Sequence, residues 1–216
     1  MENILQVFPS NIFTCIVEKN TDALKKETKF ANNQYQPVTE VLLENKEKFL
    51  RENYRILEKY PKVKKTLLEK YKKFAKEQLN YIENFEISTS WMTKIETGGE
   101  CQPHCHKNSF YSGVYYFDEY EQNKGGQIEF QTPLMNLPDF YLIPKEWNFL
   151  NSNVIEITPV KNLLVLFPSY LYHRVLMYHG KSIRRSLSFN IVPTGSYGNG
   201  DSSYDTSWVM SGKGFG

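Results

Sequence analysis

The 216-residue sequence predicts a mainly β domain with helical support (α+β), a sandwich or jelly roll, on three observations. Helical periodicity is confined to the first part of the chain and ends near residue 82. Beyond Phe85, short runs rich in β-branched and aromatic residues recur between turn residues. No stretch of helix length separates these runs, so the crossovers that a parallel sheet needs are missing.

In chain order, residues 4–18 carry Ile4, Val7, Phe8, Ile12, Phe13, Ile16 and Val17. They read as one strand or two, broken at Pro9, which cannot donate a ladder hydrogen bond. From Val38 to Ile82 the apolar residues take helical spacing: Leu42, Phe49, Leu50, Tyr54 and Leu57 form one stripe, and Leu67, Tyr71, Phe74, Leu79 and Ile82 form a second. Pro61 divides them, because proline fits the first turn of a helix and breaks its interior. The lysines and glutamates between the apolar positions, such as Lys65 and Glu69, form a solvated outer face braced by i,i+4 ion pairs. Strands are expected near 86–95, 103–107, 110–117, 127–131, 154–158, 162–167 and 184–192, with turns at Gly98-Gly99 and Gly125-Gly126. Residues 132–153, with Pro133, Pro138, Pro144 and the aromatics Phe140, Tyr141, Trp147 and Phe149, read as an inserted loop. Residues 194–216 hold six of the twelve glycines and are expected to form a mobile tail, in which Tyr197, Tyr204 and Trp208 pack if it folds back. One domain thus spans 1–193, with helical support over about 36–84 and a β core over about 85–193.

Composition narrows the function classes. The 26 basic and 24 acidic side chains nearly cancel to +2, so no strong field steers the chain onto nucleic acid or an anionic membrane. No apolar run approaches the ~18 residues of a membrane span, and the start lacks a basic and apolar leader. Three cysteines, Cys15, Cys101 and Cys105, are too few for a disulfide framework and form no CxxC pair, which points to a reducing, cytoplasmic setting.

Three of the four histidines fall in two short segments, Gln102-Pro103-His104-Cys105-His106 and Phe167 to His173. On a strand, residues two apart share a face, so His104 and His106 present two imidazoles side by side while Cys105 faces away. His173, just after the apolar run Leu163–Phe167 and its Pro168-Ser169 turn, is placed to add a third ligand from a neighbouring strand. Three imidazoles on one side of an ion leave open positions opposite, which suits Fe(II). His179 reads as an exposed loop residue outside this group. In Arg184-Arg185-Ser186-Leu187-Ser188-Phe189-Asn190, alternation puts Arg184, Ser186, Ser188 and Asn190 on one face and Leu187 and Phe189 on the other. An inward arginine needs an anion. Its planar fork holds a carboxylate in two parallel hydrogen bonds, and a serine two residues on adds a third.

These motifs resemble those of the 2-oxoglutarate/Fe(II)-dependent oxygenases, most closely small members found in phages and marine bacteria. The run WMTKIETGGECQPHCHKNSFYSGVYY from Trp91 to Tyr116, then GGQIEF, LFPSYLYHRV and RRSLSFN, carries the resemblance over roughly 85–192. It implies a double-stranded β-helix, the jelly roll of that family. By position it implies that His104, His106 and His173 hold the metal and that Arg184 and Ser186 match the RxS motif that holds the far carboxylate of 2-oxoglutarate. Tyr116 and Ser112, on the strand after the histidine pair, offer hydroxyls to cosubstrate or substrate. The family's commonest triad has a carboxylate at the second position, where this chain has His106. The site is therefore expected to be three-histidine, with Asp118 and Glu129 as the nearest carboxylates that can replace a member.

The implied activity is oxidative decarboxylation of 2-oxoglutarate to succinate and CO2 with dioxygen, coupled to hydroxylation of a peptide, an amino acid or a small metabolite, with residues 132–153 and the tail as lids. Two other readings stand beside it. A cupin without 2-oxoglutarate matches Gly98 with the HxH pair and Pro168 with His173, but lacks the glutamate after HxH and has Tyr170 where a glycine belongs. A non-catalytic jelly-roll binding protein does not account for an intact set of His104, His106, His173 and Arg184.

Overall fold

The computed structural model describes residues 10–17, 54–133 and 142–206. The stripe at Leu42, Phe49 and Leu50, the strand before Pro9, and Phe140, Tyr141 and Trp208 lie outside them. The described chain runs β1 (Phe13–Ile16), a 3-10 turn (Ile56–Lys59), α1 (Pro61–Glu77), β2 (Asn84–Ile95), β3 (Cys101–His104), β4 (Tyr111–Tyr116) and β5 (Ile128–Gln131). It continues with β6 (Val154–Ile157), β7 (Leu163–Pro168), β8 (His173–Val175), β9 (Arg184–Thr194) and a small hairpin, β10 (Ser196–Tyr197) with β11 (Tyr204–Asp205).

The strands form a five-stranded sheet in the order β1-β7-β4-β9-β2 and a four-stranded sheet in the order β3-β8-β5-β6, with every ladder antiparallel. The sheets sort the alternate residues of β4, β7 and β9 into two cores. Tyr111, Tyr115, Leu164, Leu166, Leu187, Phe189 and Ile191 point to the outer face of the larger sheet, against Leu67, Tyr71 and Phe74 of α1. Val114, Tyr116, Val165 and Phe167 point to the inner face and pack with Ile128 and Phe130 of the smaller sheet. Because β4 is buried on both faces, its six residues show no polar alternation, as expected of a central strand.

Helix α1 begins at Pro61, in the first-turn position where proline costs least. It ends earlier than the sequence suggests. Asn80 takes a left-handed backbone conformation (φ 56°), and the chain turns away after Gln78. Leu79 still packs on the core, but Ile82 is 93% exposed instead of continuing the stripe. Within residues 194–206 of the expected tail, Tyr197 and Tyr204 meet at a tilt across β10 and β11 with ring centroids 5.6 Å apart. No helix among the described residues is long and apolar enough to cross a membrane.

Gly113 shows how the outer core is closed. It sits opposite Phe189 in the β4–β9 ladder, and a Cβ there would lie 2.3 Å from the Phe189 ring. We expect Gly113→Ala to lower unfolding stability by about 1–3 kcal/mol through overpacking, with Phe189→Leu in the same chain restoring part of it. Denaturant unfolding of both variants checks this, and an unchanged midpoint for Gly113→Ala contradicts the packing described.

Candidate metal and cosubstrate site

The three histidines meet, but by a different local geometry from the one the spacing predicts. His104 ends β3 and pairs across the ladder with His173, the first residue of β8. His106 lies beyond the strand, so it is not placed by strand alternation. Its backbone N–H donates to the Ser169 carbonyl at 2.9 Å, and that tie turns it back toward the other two. Cys105 is partly buried in the same turn. One ring nitrogen from each of His104, His106 and His173 lies within 4.8 Å of the others, and no other such grouping of His, Cys, Asp or Glu occurs among the described residues.

Two of the rings are oriented by carbonyl acceptors. His173 Nδ1–H donates to Leu171 O at 2.9 Å, and His104 Nδ1–H donates to Gln102 O at 2.8 Å. A carbonyl only accepts, so each Nδ1 carries the proton and each Nε2 keeps its lone pair for an ion. His173 is walled by Phe167 and Phe130, with ring centroids 4.7 and 5.9 Å away, and His106 rests against Trp91 at 5.4 Å. Burial lowers the His106 pKa to about 4, helped by the charge of His104. It likewise lowers that of His173 to about 4, against the opposing Leu171 hydrogen bond. His104 moves the other way, raised first by the Cys101 thiol 3.8 Å from its Nδ1 and then by the Gln102 carbonyl.

Neither carboxylate that the sequence offers as a replacement ligand is free. Both oxygens of Glu129 accept from Arg174, at 2.8 and 3.0 Å, and this pairing holds its carboxyl below the usual range. Asp118 accepts from Arg185 at 3.2 Å. Among the described residues the grouping is three imidazoles with no carboxylate.

Arg184 opens β9 on the inner face, 1% exposed, and among the described residues no carboxylate pairs with it. Its Nε donates to Gly126 O at 2.9 Å and its Nη2 to the Tyr116 hydroxyl at 3.4 Å, while the guanidinium lies over the Tyr116 ring at 5.3 Å. Burial raises the Tyr116 pKa, so the hydroxyl stays neutral. Arg184 Nη1 is buried with no partner among the described residues. Ser186, two residues along the same face, is buried.

Ser112 shares the inner face of β4 with Tyr116 but is engaged elsewhere: it donates to Asn190 Oδ1 at 2.8 Å, its Oγ lies 2.9 Å from Ser169 Oγ, and Ser169 Oγ lies 2.8 Å from Ser109 Oγ. Asn190 Nδ2 then reaches Thr89 Oγ1 at 3.0 Å. His179 is exposed and stands apart from the triad.

The sequence reading missed Gly126 and Gln127 as parts of the arginine cradle. Gly126 has φ +75°, and a Cβ there would come within 3.1 Å of Arg184 Cδ, so only glycine lets this carbonyl reach the guanidinium. The Gly125-Gly126 pair signalled that turn without naming its neighbour. Gln127 lines a cavity of about 30 Å³ with Arg184 and keeps its Oε1 buried and unpaired. A wider groove, about 370 Å³, starts at His106 and is walled by Asn108, Phe110, Tyr81 and Tyr170.

The fold is a two-sheet jelly roll in which three imidazoles cluster and a buried guanidinium keeps one nitrogen without a partner among the described residues. The model of the family described as "Putative 2OG-Fe(II) oxygenase" matches residues 89–190. Among solved structures, HygX from Streptomyces hygroscopicus with nickel and 2-oxoglutarate bound superposes with a TM-score of 0.55 at 8% identity, over 86% of this chain and 83% of that one. A Pseudomonas putida prolyl-4-hydroxylase gives 0.51 at 13% identity, over 84% of each chain. A Trichoplax adhaerens prolyl hydroxylase gives 0.51 at 13% identity, over 83% of this chain and 82% of that one. No curated protein sequence matches the chain. Over residues 89–190 the chain is thus similar to that family, and its residues fit an iron ion and 2-oxoglutarate: three clustered imidazoles for the ion, and a buried guanidinium nitrogen without a partner among the described residues for a carboxylate.

Two outcomes follow from this geometry. Glu129→Gln and Asp118→Asn should each leave Mn(II) affinity within about twofold of the parent, whereas His173→Ala should cost at least about tenfold; equilibrium titration reads both, and loss of metal in either carboxylate variant contradicts a three-histidine site. The lowered values of His106 and His173 lie below the unfolded imidazole value of about 6.5, so the unfolded chain takes up protons first. Their contribution to the metal-free protein is complete above that pH and is lost as pH falls toward about 4, with the raised His104 offsetting part of the loss. Thermal melts across that window should fall, and a midpoint that rises on acidification contradicts the assignment.

Proposed function

We propose that the chain is an Fe(II)- and 2-oxoglutarate-dependent dioxygenase that hydroxylates a peptide, an amino acid or a small metabolite. The observation that carries this reading is Arg184, a buried cation with only neutral partners and an unpartnered Nη1, on the same inner surface as the histidine triad. A cupin chemistry without 2-oxoglutarate gives that arginine no role.

When bound together, iron, 2-oxoglutarate and dioxygen supply the oxidative decarboxylation to succinate and CO2 and the oxidising power for C–H hydroxylation. The chain's own residues do the rest. His104, His106 and His173 hold the ion from one side, with the Leu171 and Gln102 carbonyls fixing two of the rings. Arg184 and Ser186 would hold the far carboxylate, while Gly126 O and the Tyr116 hydroxyl hold the guanidinium plane. Ser112 is assigned to the same cosubstrate wall, held in place by Ser169 and Asn190. Phe167, Phe130 and Val165 keep water from the inner surface. The groove of about 370 Å³ beside His106 gives a substrate its approach, with Phe110, Tyr81 and Tyr170 as walls. The free thiols Cys15, Cys101 and Cys105 suit a reducing, cytoplasmic compartment.

Calorimetric titration of 2-oxoglutarate into the Mn(II)-loaded protein tests the reading. Arg184→Ala should weaken binding by at least about tenfold, the loss of one or more charge-assisted hydrogen bonds, and the parent with Fe(II) in air should release succinate. Equal 2-oxoglutarate affinity in parent and Arg184→Ala, or no binding by either, sinks the proposal.

A further inference from the structure

We infer that His106, a neutral ligand at a position where a carboxylate would bring negative charge, makes metal retention and 2-oxoglutarate binding strongly dependent on one another. This rests on the function proposed above and adds to it how the two ligands are loaded.

The inner surface has no protein anion to spare. The three candidate ligands are imidazoles, which bind an ion only as neutral groups. Glu129 is committed to Arg174 and Asp118 to Arg185, and among the described residues no other carboxylate joins the triad. On the same surface Arg184 is buried beside a backbone carbonyl and a neutral phenol, with Nη1 left over. With a divalent ion in place, two centres of positive charge therefore face the space between the sheets, neither offset by a charge among the described residues. Holding such charges away from water is costly unless each finds a counter-charge.

A dicarboxylate that meets the ion at one end and Arg184 at the other offsets both. The ion then raises the affinity for the dianion, and the dianion raises the affinity for the ion, by the same factor. Any ligand that touches the ion produces some coupling. What His106 adds is size, because the bare ion receives no charge from the three imidazoles. Replacing His106 by aspartate supplies that charge in advance, so the ion should be held more tightly alone and gain less from 2-oxoglutarate.

The test uses the full chain under anaerobic conditions. Mn(II) affinity is measured from the free-ion electron paramagnetic resonance signal with and without saturating 2-oxoglutarate, for the parent, His106→Asp and His106→Gln, each checked for folding by circular dichroism. The parent should bind Mn(II) at the upper end of the usual coupling range, about 5- to 150-fold, more tightly with 2-oxoglutarate. His106→Asp should bind bare Mn(II) more tightly than the parent and lose most of that factor, while the neutral His106→Gln, though a weaker ligand, should keep it. His106→Glu substitutes if the aspartate variant does not fold. An equal factor in parent and acidic variant, or the same fall in the acidic and glutamine variants, overturns the inference while leaving the proposed function standing. Failure of the Mn(II)-loaded parent to bind 2-oxoglutarate overturns both.

Discussion

A guanidinium sealed between two sheets without a carboxylate is the constraint around which the rest of this structure is arranged. Arg184 is held by a glycine carbonyl and a tyrosine hydroxyl, both neutral, and one of its nitrogens has no partner among the described residues. A buried cation left in that condition is expensive for folding. Its retention makes sense when the site is completed by an anion from outside the chain. The neighbouring features serve that end: Gly126 gives up its side chain so that its carbonyl can approach, Tyr116 offers both its hydroxyl and the face of its ring, and β9 starts where its first residue points inward.

The same register that buries Arg184 builds the metal site. β9 pairs with β4 so that Ser112 faces Asn190 and Gly113 faces Phe189, and β4 pairs with β7 so that Tyr111 faces Pro168. This places Ser169, at the end of β7, where its carbonyl can hold the His106 backbone and its hydroxyl can meet Ser112. Arg184 then lies toward the Tyr116 end of β4 and His106 toward the Tyr111 end. The outer face of the same strands is closed by α1, whose Tyr71 and Phe74 rings meet Tyr111 tilted and edge-on, with centroids 5.3 and 5.9 Å away. Stability on one face and chemistry on the other are thus two sides of one alternation.

That alternation is why much of the fold and site was legible in the sequence. In RRSLSFN the polar and apolar residues separate cleanly, because one face of β9 meets the helix and the other meets the space between the sheets. Pro61 marked the start of α1 for a purely local reason. What the sequence concealed depends on contacts distant in the chain. β8 is three residues long, too short for any periodicity to register. His106 is turned toward His104 and His173 by a carbonyl more than sixty positions away, a geometry that strand spacing does not predict. Ile82 fits the helical stripe in composition, but Asn80 takes the chain out of the helix before it. The commitment of Glu129 to Arg174 across β5 and β8 was equally out of reach of local reading.

A three-imidazole site beside a lone buried arginine differs in charge from a site with a carboxylate ligand, and the difference bears on how the protein is loaded rather than on its fold. The central claim is that one dicarboxylate bridges the triad and Arg184. It is tested most directly by an anaerobic crystal structure of the chain with Mn(II) and 2-oxoglutarate. The account predicts coordination by His104, His106 and His173 alone among protein groups, with the far carboxylate within hydrogen-bond distance of Arg184 Nη1. A protein carboxylate on the metal, or a 2-oxoglutarate whose far end lies away from Arg184, would contradict it.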